Sequence, residues 1–118
     1  MTGPLLDPAA LARLRRIGGE KLVRAMIDSF AANGAARITS AREAAIAGDG
    51  QGVSDAAHAL KSSAGNLGAE SLRLVAQRVE REAVDSGSDL GRLSDELAAA
   101  FEQARAAALA ARDTAAEG

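Results

Sequence analysis

The feature that most constrains the fold of this chain is a helical repeat of apolar residues that returns in one segment after another. Between residues 53 and 67 the apolar positions alternate in steps of four and three, at Val53, Ala57, Leu60, Ala64 and Leu67. This spacing places all five side chains on one face of an α-helix. No segment shows the alternating pattern that is typical of a strand. The sequence therefore predicts an all-α protein whose helices each bury one face.

The composition favours closely packed helices around a single core. Hydrophobic residues make up 47% of the 118 residues but aromatic residues only 2%, and about a quarter of the chain is Ala. Alanine is the strongest helix former, and its small side chain lets helices approach closely. A chain of this length is large enough for one hydrophobic core and too small for two.

Two helices are predicted in the first half of the chain. Asp7-Pro8, an N-cap residue followed by proline, opens a short helix that ends at Gly18-Gly19. A longer apolar pattern follows and stops at the turn 48–50. Asn33-Gly34 interrupts this pattern, and a glycine in a helix interior costs about 1 kcal/mol relative to Ala. We therefore expect a kink or a break at Asn33-Gly34.

Three further helices complete the prediction. The stripe described above forms one of them, and the next starts near Ala69 and ends in the turn 85–88. Asp89 or Ser88 can cap the last helix, which runs from about Leu90 and frays into a polar tail after Arg112. Because short connections favour antiparallel neighbours, we expect an antiparallel up-down four-helix bundle with a short additional N-terminal helix. The domain covers residues 7–112, and residues 1–6 and 113–118 are flexible tails.

Charge and residue usage exclude several classes of function. The formal charge of −2, from 14 basic and 16 acidic residues, gives no basic field for nucleic acid. No apolar run approaches the roughly 20 residues of a membrane span, and the N-terminus lacks the features of a signal peptide. With no Cys and one His, no metal site is predicted. We expect a cytoplasmic protein that binds neither nucleic acid nor membrane.

The stretch HALKSSAGNLGA, from His58 to residue 69, contains the only histidine of the chain. At about 100° per residue, His58 lies beside the apolar stripe, so we expect it to be at least partly exposed. Its later neighbours on the same face are Lys61, Ser62 and Gly65. Apart from the lysine these residues are small, so a large partner can approach the imidazole.

The lysine points to a particular chemistry. An ammonium one turn away favours the neutral imidazole, whose free ring nitrogen can act as a nucleophile. The same ammonium can meet a dianionic group attached to that ring. Both requirements are met if the imidazole of His58 attacks a phosphoryl group and Lys61 stabilises the phosphate.

Each of these residues also has an ordinary explanation. A single histidine on a helix is most often a surface residue, and an exposed lysine is usually a solvated charge. The small residues that follow could serve close helix packing. Neither a Ser-His-Asp arrangement nor a glycine-rich phosphate loop can be found in the sequence, which disfavours nucleotide binding.

HALKSSAGNLGA, followed by LRLVAQRVERE, resembles the histidine-containing phosphotransfer (HPt) domain of multistep phosphorelays. In that family a phosphorylatable histidine is followed by an apolar residue two positions later and a lysine three positions later, as are His58, Leu60 and Lys61. A run of small residues comes next, here 62–65. The position after the lysine is commonly Gly in the family and is Ser62 here, which narrows access to the imidazole slightly.

The resemblance implies roles for further residues. His58 would be phosphorylated at the ring nitrogen that faces solvent, and Glu80 matches the Gln or Glu that orients the other nitrogen. Ser62, Gly65 and Gly68 match positions where a receiver domain packs closely. The alternatives are an exposed helix charge at Glu80, helix packing at both glycines, and helix termination at Gly68.

The function implied by the resemblance is that of a phosphorelay intermediate. His58 would accept a phosphoryl group from the aspartyl phosphate of a receiver domain and transfer it to, or back from, the aspartate of another. The implied partners are receiver domains of a hybrid histidine kinase or of response regulators, and the receiver would bring Mg²⁺. We expect a monomer that binds no cofactor of its own and has no autonomous ATP-dependent kinase activity.

Two alternatives come from other classes of protein. The first is a helical docking or inhibitory adaptor, which would bind a signalling partner without phosphotransfer. The second is a purely structural bundle, in which the small residues after His58 serve packing alone.

Overall fold

Four α-helices make up the computed structural model, which describes residues 4–117 and side chains as far as residue 113. They are α1 (Pro8–Ile46), α2 (Gly50–Leu67), α3 (Glu70–Glu82) and α4 (Leu90–Glu117). Both α2 and α4 pack against α1 and α3, so the helices form a ring around one core. Short connections make neighbouring helices antiparallel. The predicted all-α up-down bundle is confirmed.

The short additional N-terminal helix is the first part of α1. Asp7 caps it by accepting a hydrogen bond from the backbone N–H of Ala9 at 2.9 Å, and Pro8 occupies the first helical position. Gly19 has a φ of 71°, a left-handed value that glycine adopts without strain, and it separates residues 8–18 from the rest of α1. The end predicted at Gly18-Gly19 is therefore confirmed as a sharp kink.

The kink or break predicted at Asn33-Gly34 is wrong, because α1 continues through both residues with helical geometry. The reason is a tertiary contact. A side chain at Gly34 would overlap Cε1 of Phe101 on α4, so the missing Cβ makes room for an aromatic ring. That ring also packs against Phe30, with 5.4 Å between the ring centroids.

The predicted apolar stripe of α2 forms the centre of the core, and none of its five residues is more than 1% exposed. Asp49 caps the start of α2 by accepting from the N–H of Gly52, and Asp89 does the same for α4 through the N–H of Arg92. The end of α2 is set by Gly68, whose φ is 68°. None of the described helices combines the length and the apolar character that crossing a membrane requires.

The ordered structure reaches beyond the predicted domain limits, residues 7 and 112, at both ends of the described chain. The carbonyl of Pro4 accepts from the N–H of Ser71 at 3.0 Å, so part of the predicted N-terminal tail lies against the start of α3. At the other end, α4 remains helical to Glu117. Residues 1–3 and 118 of the predicted tails lie outside the described residues, and the domain limits and the flexibility of the tails stay predictions.

Candidate functional site

The outward face of α2 presents His58 near the middle of the helix. Because burial of the apolar stripe fixes the rotation of α2, His58 faces away from the core, and its side chain remains 60% exposed. This is the exposure that the helical spacing predicts. The ring is therefore accessible from solvent, while the backbone of His58 is held in place by the packing of α2 in the core.

The inner edge of the imidazole is held by Glu80 of α3. Oε2 of Glu80 lies 2.8 Å from Nδ1 of His58. A carboxylate can only accept a hydrogen bond, so the bond assigns the ring hydrogen to Nδ1. In the neutral ring, Nε2 is then left with a free electron pair. The orienting role expected of Glu80 agrees with this contact.

The ammonium of Lys61 binds the other oxygen of the same carboxylate, with 2.7 Å between Nζ and Oε1 of Glu80. The sequence predicts that Lys61 lies one turn from the imidazole, favours its neutral form and stabilises a phosphate attached to it. In the structure its ammonium is held by Glu80, and the three side chains form one hydrogen-bonded cluster. The side chains of Lys61 and Glu80 are 28% and 24% exposed, so solvent reaches the edge of this cluster.

The charge of Glu80 is maintained by its two partners. The hydrogen bond from Lys61 is the largest influence and lowers the pKa of Glu80, partial burial opposes it, and the hydrogen bond from His58 lowers the pKa further. Glu80 therefore remains an anion at neutral pH and accepts both hydrogen bonds in that state.

Beneath the cluster, Ser54 joins the backbones of the two helices. Its side chain lies one turn before His58 on α2 and donates a hydrogen bond of 2.8 Å to the carbonyl oxygen of Glu80. The residue is buried, with 7% of its surface exposed. The sequence alone does not predict this contact. The only indication in the sequence is that a polar residue lies four positions before His58, toward the core side of the helix.

Ser62 and Gly65 lie on the exposed surface that continues from His58. A Cβ placed on Gly65 would have no atom within 4 Å. Gly65 therefore has no packing role inside this molecule, which removes the helix-packing alternative for that residue. Together with Ser62 it leaves the approach to the imidazole open.

Gly68 has a different explanation. It ends α2 in a left-handed conformation, and a Cβ there would lie 2.6 Å from the Cβ of Asp7 and 2.9 Å from that of Ala10. Helix termination and packing against the N-terminal segment thus account for this glycine. A direct contact between Gly68 and a receiver domain stays a prediction.

The arrangement offers one exposed nucleophilic nitrogen, an anion that fixes the ring, and a cation beside it. The family model described as "Hpt domain" matches residues 25–112, about three quarters of the chain. This chain belongs to the Hpt domain family. Membership gives it a histidine phosphotransfer role in the phosphorelays of two-component signalling, where Hpt domains interact with receiver domains.

The fold of this Hpt domain is also similar to that of a solved structure. The crystal structure of histidine-containing phosphotransfer protein B from Pseudomonas aeruginosa PAO1 matches with a TM-score of 0.85. The match covers 96% of this chain and 98% of that chain at 24% sequence identity, which supports the shared fold. A comparison of this chain with curated proteins finds no match.

Proposed function

We propose that His58 is the phosphoacceptor, taking a phosphoryl group from a receiver-domain aspartyl phosphate and passing it to, or back from, the aspartate of another receiver. The observation that carries this proposal is the pairing of an exposed ring with a hydrogen bond from Nδ1 to Glu80. This pairing supports attack by Nε2, the nitrogen on the accessible edge of the ring.

The transfer exchanges one bond to phosphorus for another. The electron pair of Nε2 attacks phosphorus, the bond between phosphorus and the aspartyl oxygen breaks, and its electrons return to the aspartate as a carboxylate. The ring keeps its hydrogen on Nδ1, and the negative charge of Glu80 offsets the positive charge that develops on the phosphorylated ring. In the reverse direction, a receiver carboxylate attacks phosphorus and the N–P bond breaks.

The other side chains of the site stabilise this exchange. Lys61 lies one helical turn after His58 on α2, and its ammonium is bonded directly to the carboxylate that orients the ring. We propose that this ammonium stabilises the phosphate on His58. Mg²⁺ and the acidic pocket are expected to come from the receiver, because Mg²⁺ prefers oxygen ligands and no group of three or more metal-ligating side chains comes together among the described residues of this chain.

The wider context of the proposal follows the family. Hpt proteins are phosphotransfer carriers rather than kinases, and we propose that this chain has no ATP-dependent activity of its own. Its partners would be receiver domains of a hybrid histidine kinase or of response regulators. We further propose that it works as a cytoplasmic monomer and contacts neither nucleic acid nor membrane.

The test is transfer from a phosphorylated receiver. Mixing the chain with each receiver of its source organism should label the wild type with acid-labile phosphate in at least one pairing. His58→Gln should not be labelled, whereas Glu102→Gln, a change on the exposed side of α4, should be labelled as the wild type is. Labelling of His58→Gln, or no labelling in any pairing, contradicts the proposal. Equal receiver binding to wild type and His58→Ala without phosphate turnover would instead indicate a docking adaptor.

A further inference from the structure

Three residues of α2 meet the end of α3 at intervals of one helical turn. Gly50, Ser54 and His58 are four positions apart, so they lie on one side of α2. A side chain at Gly50 would overlap the carbonyl oxygen of Ala83. One turn on, the hydroxyl of Ser54 donates to the carbonyl of Glu80, and one turn further His58 meets the side chain of Glu80. The contact between His58 and Glu80 is thus one end of a longer contact between the two antiparallel helices α2 and α3.

The hydrogen bond from Ser54 satisfies a carbonyl that the helix itself leaves open. Glu80 is the third residue from the end of α3, and the carbonyls of a last helical turn have no N–H partner further along the helix. A buried polar group without a partner is costly. The hydroxyl of Ser54 therefore ties a particular point on α3 to a particular point on α2.

The position of α3 along α2 matters for the cluster because its hydrogen bonds tolerate little movement. The bonds to the two oxygens of Glu80 are 2.8 and 2.7 Å long, and a shift of about 1 Å along either bond would take it beyond hydrogen-bonding length. Apolar contacts are not directional. Several of the buried residues on these two helices are alanines, whose short side chains interlock only shallowly: Ala56, Ala57, Ala64 and Ala76.

We propose that Ser54 is a positioning residue for phosphotransfer, whose hydroxyl holds α2 and α3 at the register where one Glu80 carboxylate reaches both His58 and Lys61. This inference rests on the proposed function of His58. Ser54 does not touch the phosphoryl group and acts only through the placement of Glu80.

The first test is Ser54→Ala, compared with Ser94→Ala as a matched control. Ser94 is also buried, at 3% exposed, but its hydroxyl donates to the carbonyl of Gly91 within α4. Ring ¹⁵N NMR of the neutral imidazole should show mainly the Nδ1–H tautomer in the wild type and in Ser94→Ala. In Ser54→Ala the two tautomers should be mixed, and transfer from a phosphorylated receiver should be about tenfold slower.

A second pair of variants separates positioning from stability. In a Glu80→Ala background there is no carboxylate to place, so adding Ser54→Ala should change neither the tautomer ratio nor the transfer rate any further. Ser54→Thr keeps a hydroxyl and should restore both toward the wild-type values.

Several results would overturn the inference. One is that Ser54→Ala keeps the tautomer ratio and the transfer rate of the wild type. Another is that Ser94→Ala mixes the tautomers and slows transfer as much as Ser54→Ala does. A third is that adding Ser54→Ala to Glu80→Ala changes the tautomer ratio or slows transfer further. The tautomer ratio needs no receiver and no phosphate. If no receiver transfers phosphate to the wild type, the proposed function fails, whereas the NMR measurement still decides whether Ser54 places Glu80.

Discussion

At Glu80, one carboxylate binds an imidazole and an ammonium at the same time, so the loss of either partner changes the environment of the other. Lys61→Ala removes the ammonium. We expect slower transfer and a shorter lifetime of the phosphohistidine, because the phosphate loses its neighbouring cation. The free energy of unfolding should change by less than about 1 kcal/mol, as for other partly exposed ion pairs.

The lifetime of the phosphate on His58 and the transfer rate check this prediction, with chemical denaturation as the measure of stability. Lys21→Ala is the matched control, since Lys21 is the other lysine of the chain and lies exposed on α1. A phosphohistidine that survives equally long in wild type and Lys61→Ala would remove the role given to Lys61.

The pKa of Glu80 also predicts a dependence of stability on pH. The hydrogen bond from Lys61, aided by that from His58, lowers this pKa below the ordinary value of a glutamate. A lowered folded-state pKa contributes stability that is fully present above the pKa of the unfolded chain and is lost as pH falls through the folded value. The stability advantage of wild type over Glu80→Gln, measured from neutral pH downwards, should therefore shrink once the pH falls below about 5.

Unfolding measured across this pH range tests the prediction, and NMR of the side-chain carboxyl carbon gives the pKa of Glu80 directly. Lys61→Met removes the largest cause of the shift and should raise the pKa of Glu80 toward its ordinary value. The explanation fails if Lys61→Met leaves that pKa where it is in the wild type.

Among the helices, two glycines illustrate how different surroundings reverse the effect of the same substitution. Gly34→Ala should destabilise the fold by about 1–3 kcal/mol, because the new methyl group overlaps the ring of Phe101. Gly65→Ala should stabilise it by about 0.5–1 kcal/mol, because its methyl group meets open space and alanine favours the helix. Denaturant unfolding of both variants tests this. A stabilised Gly34→Ala would show that the ring of Phe101 does not need that space.

The sequence was sufficient for those helices whose boundaries depend on local signals. Asp7-Pro8 and Gly18-Gly19 act within one or two turns, so capping and glycine rules located both ends of the first helical segment. Gly34 could not be interpreted in this way, because its reason for being glycine is Phe101, 67 positions further along the chain (101 − 34). Local propensity indicated a break where tertiary packing required a close approach.

In the candidate site, too, local spacing was predictable from the sequence and contacts between helices were not. The spacing on α2 correctly predicted the exposed face that carries His58, Lys61 and Gly65. The attachment of Lys61 to Glu80 and the bond from Ser54 depend on how α3 lies along α2, a register that the sequence alone does not give. The resemblance supplied Glu80 as a candidate, but only the three-dimensional arrangement connects its two oxygens to two different side chains.

For the molecule as a whole, the open surface around Gly65 predicts where a receiver domain docks. Gly65→Leu should weaken receiver binding about tenfold or more by occupying that surface, while the fold remains intact. Ala99→Leu adds the same side chain to an exposed position on α4 and should leave binding unchanged.

Receiver affinity and thermal unfolding of both variants test the docking prediction. Undiminished affinity of Gly65→Leu would show that the receiver docks elsewhere. Loss of folding in Gly65→Leu would contradict the finding that a side chain at this position meets no other atom.

The aromatic content of the core has a practical consequence for such measurements. Its only aromatic rings are those of Phe30 and Phe101, and the sequence contains no Trp or Tyr. The chain consequently absorbs and fluoresces only weakly in the near ultraviolet. When it is mixed with a receiver that contains tryptophan, all indole emission comes from that receiver, so any change in that emission on binding reports on the receiver alone and needs no attached dye.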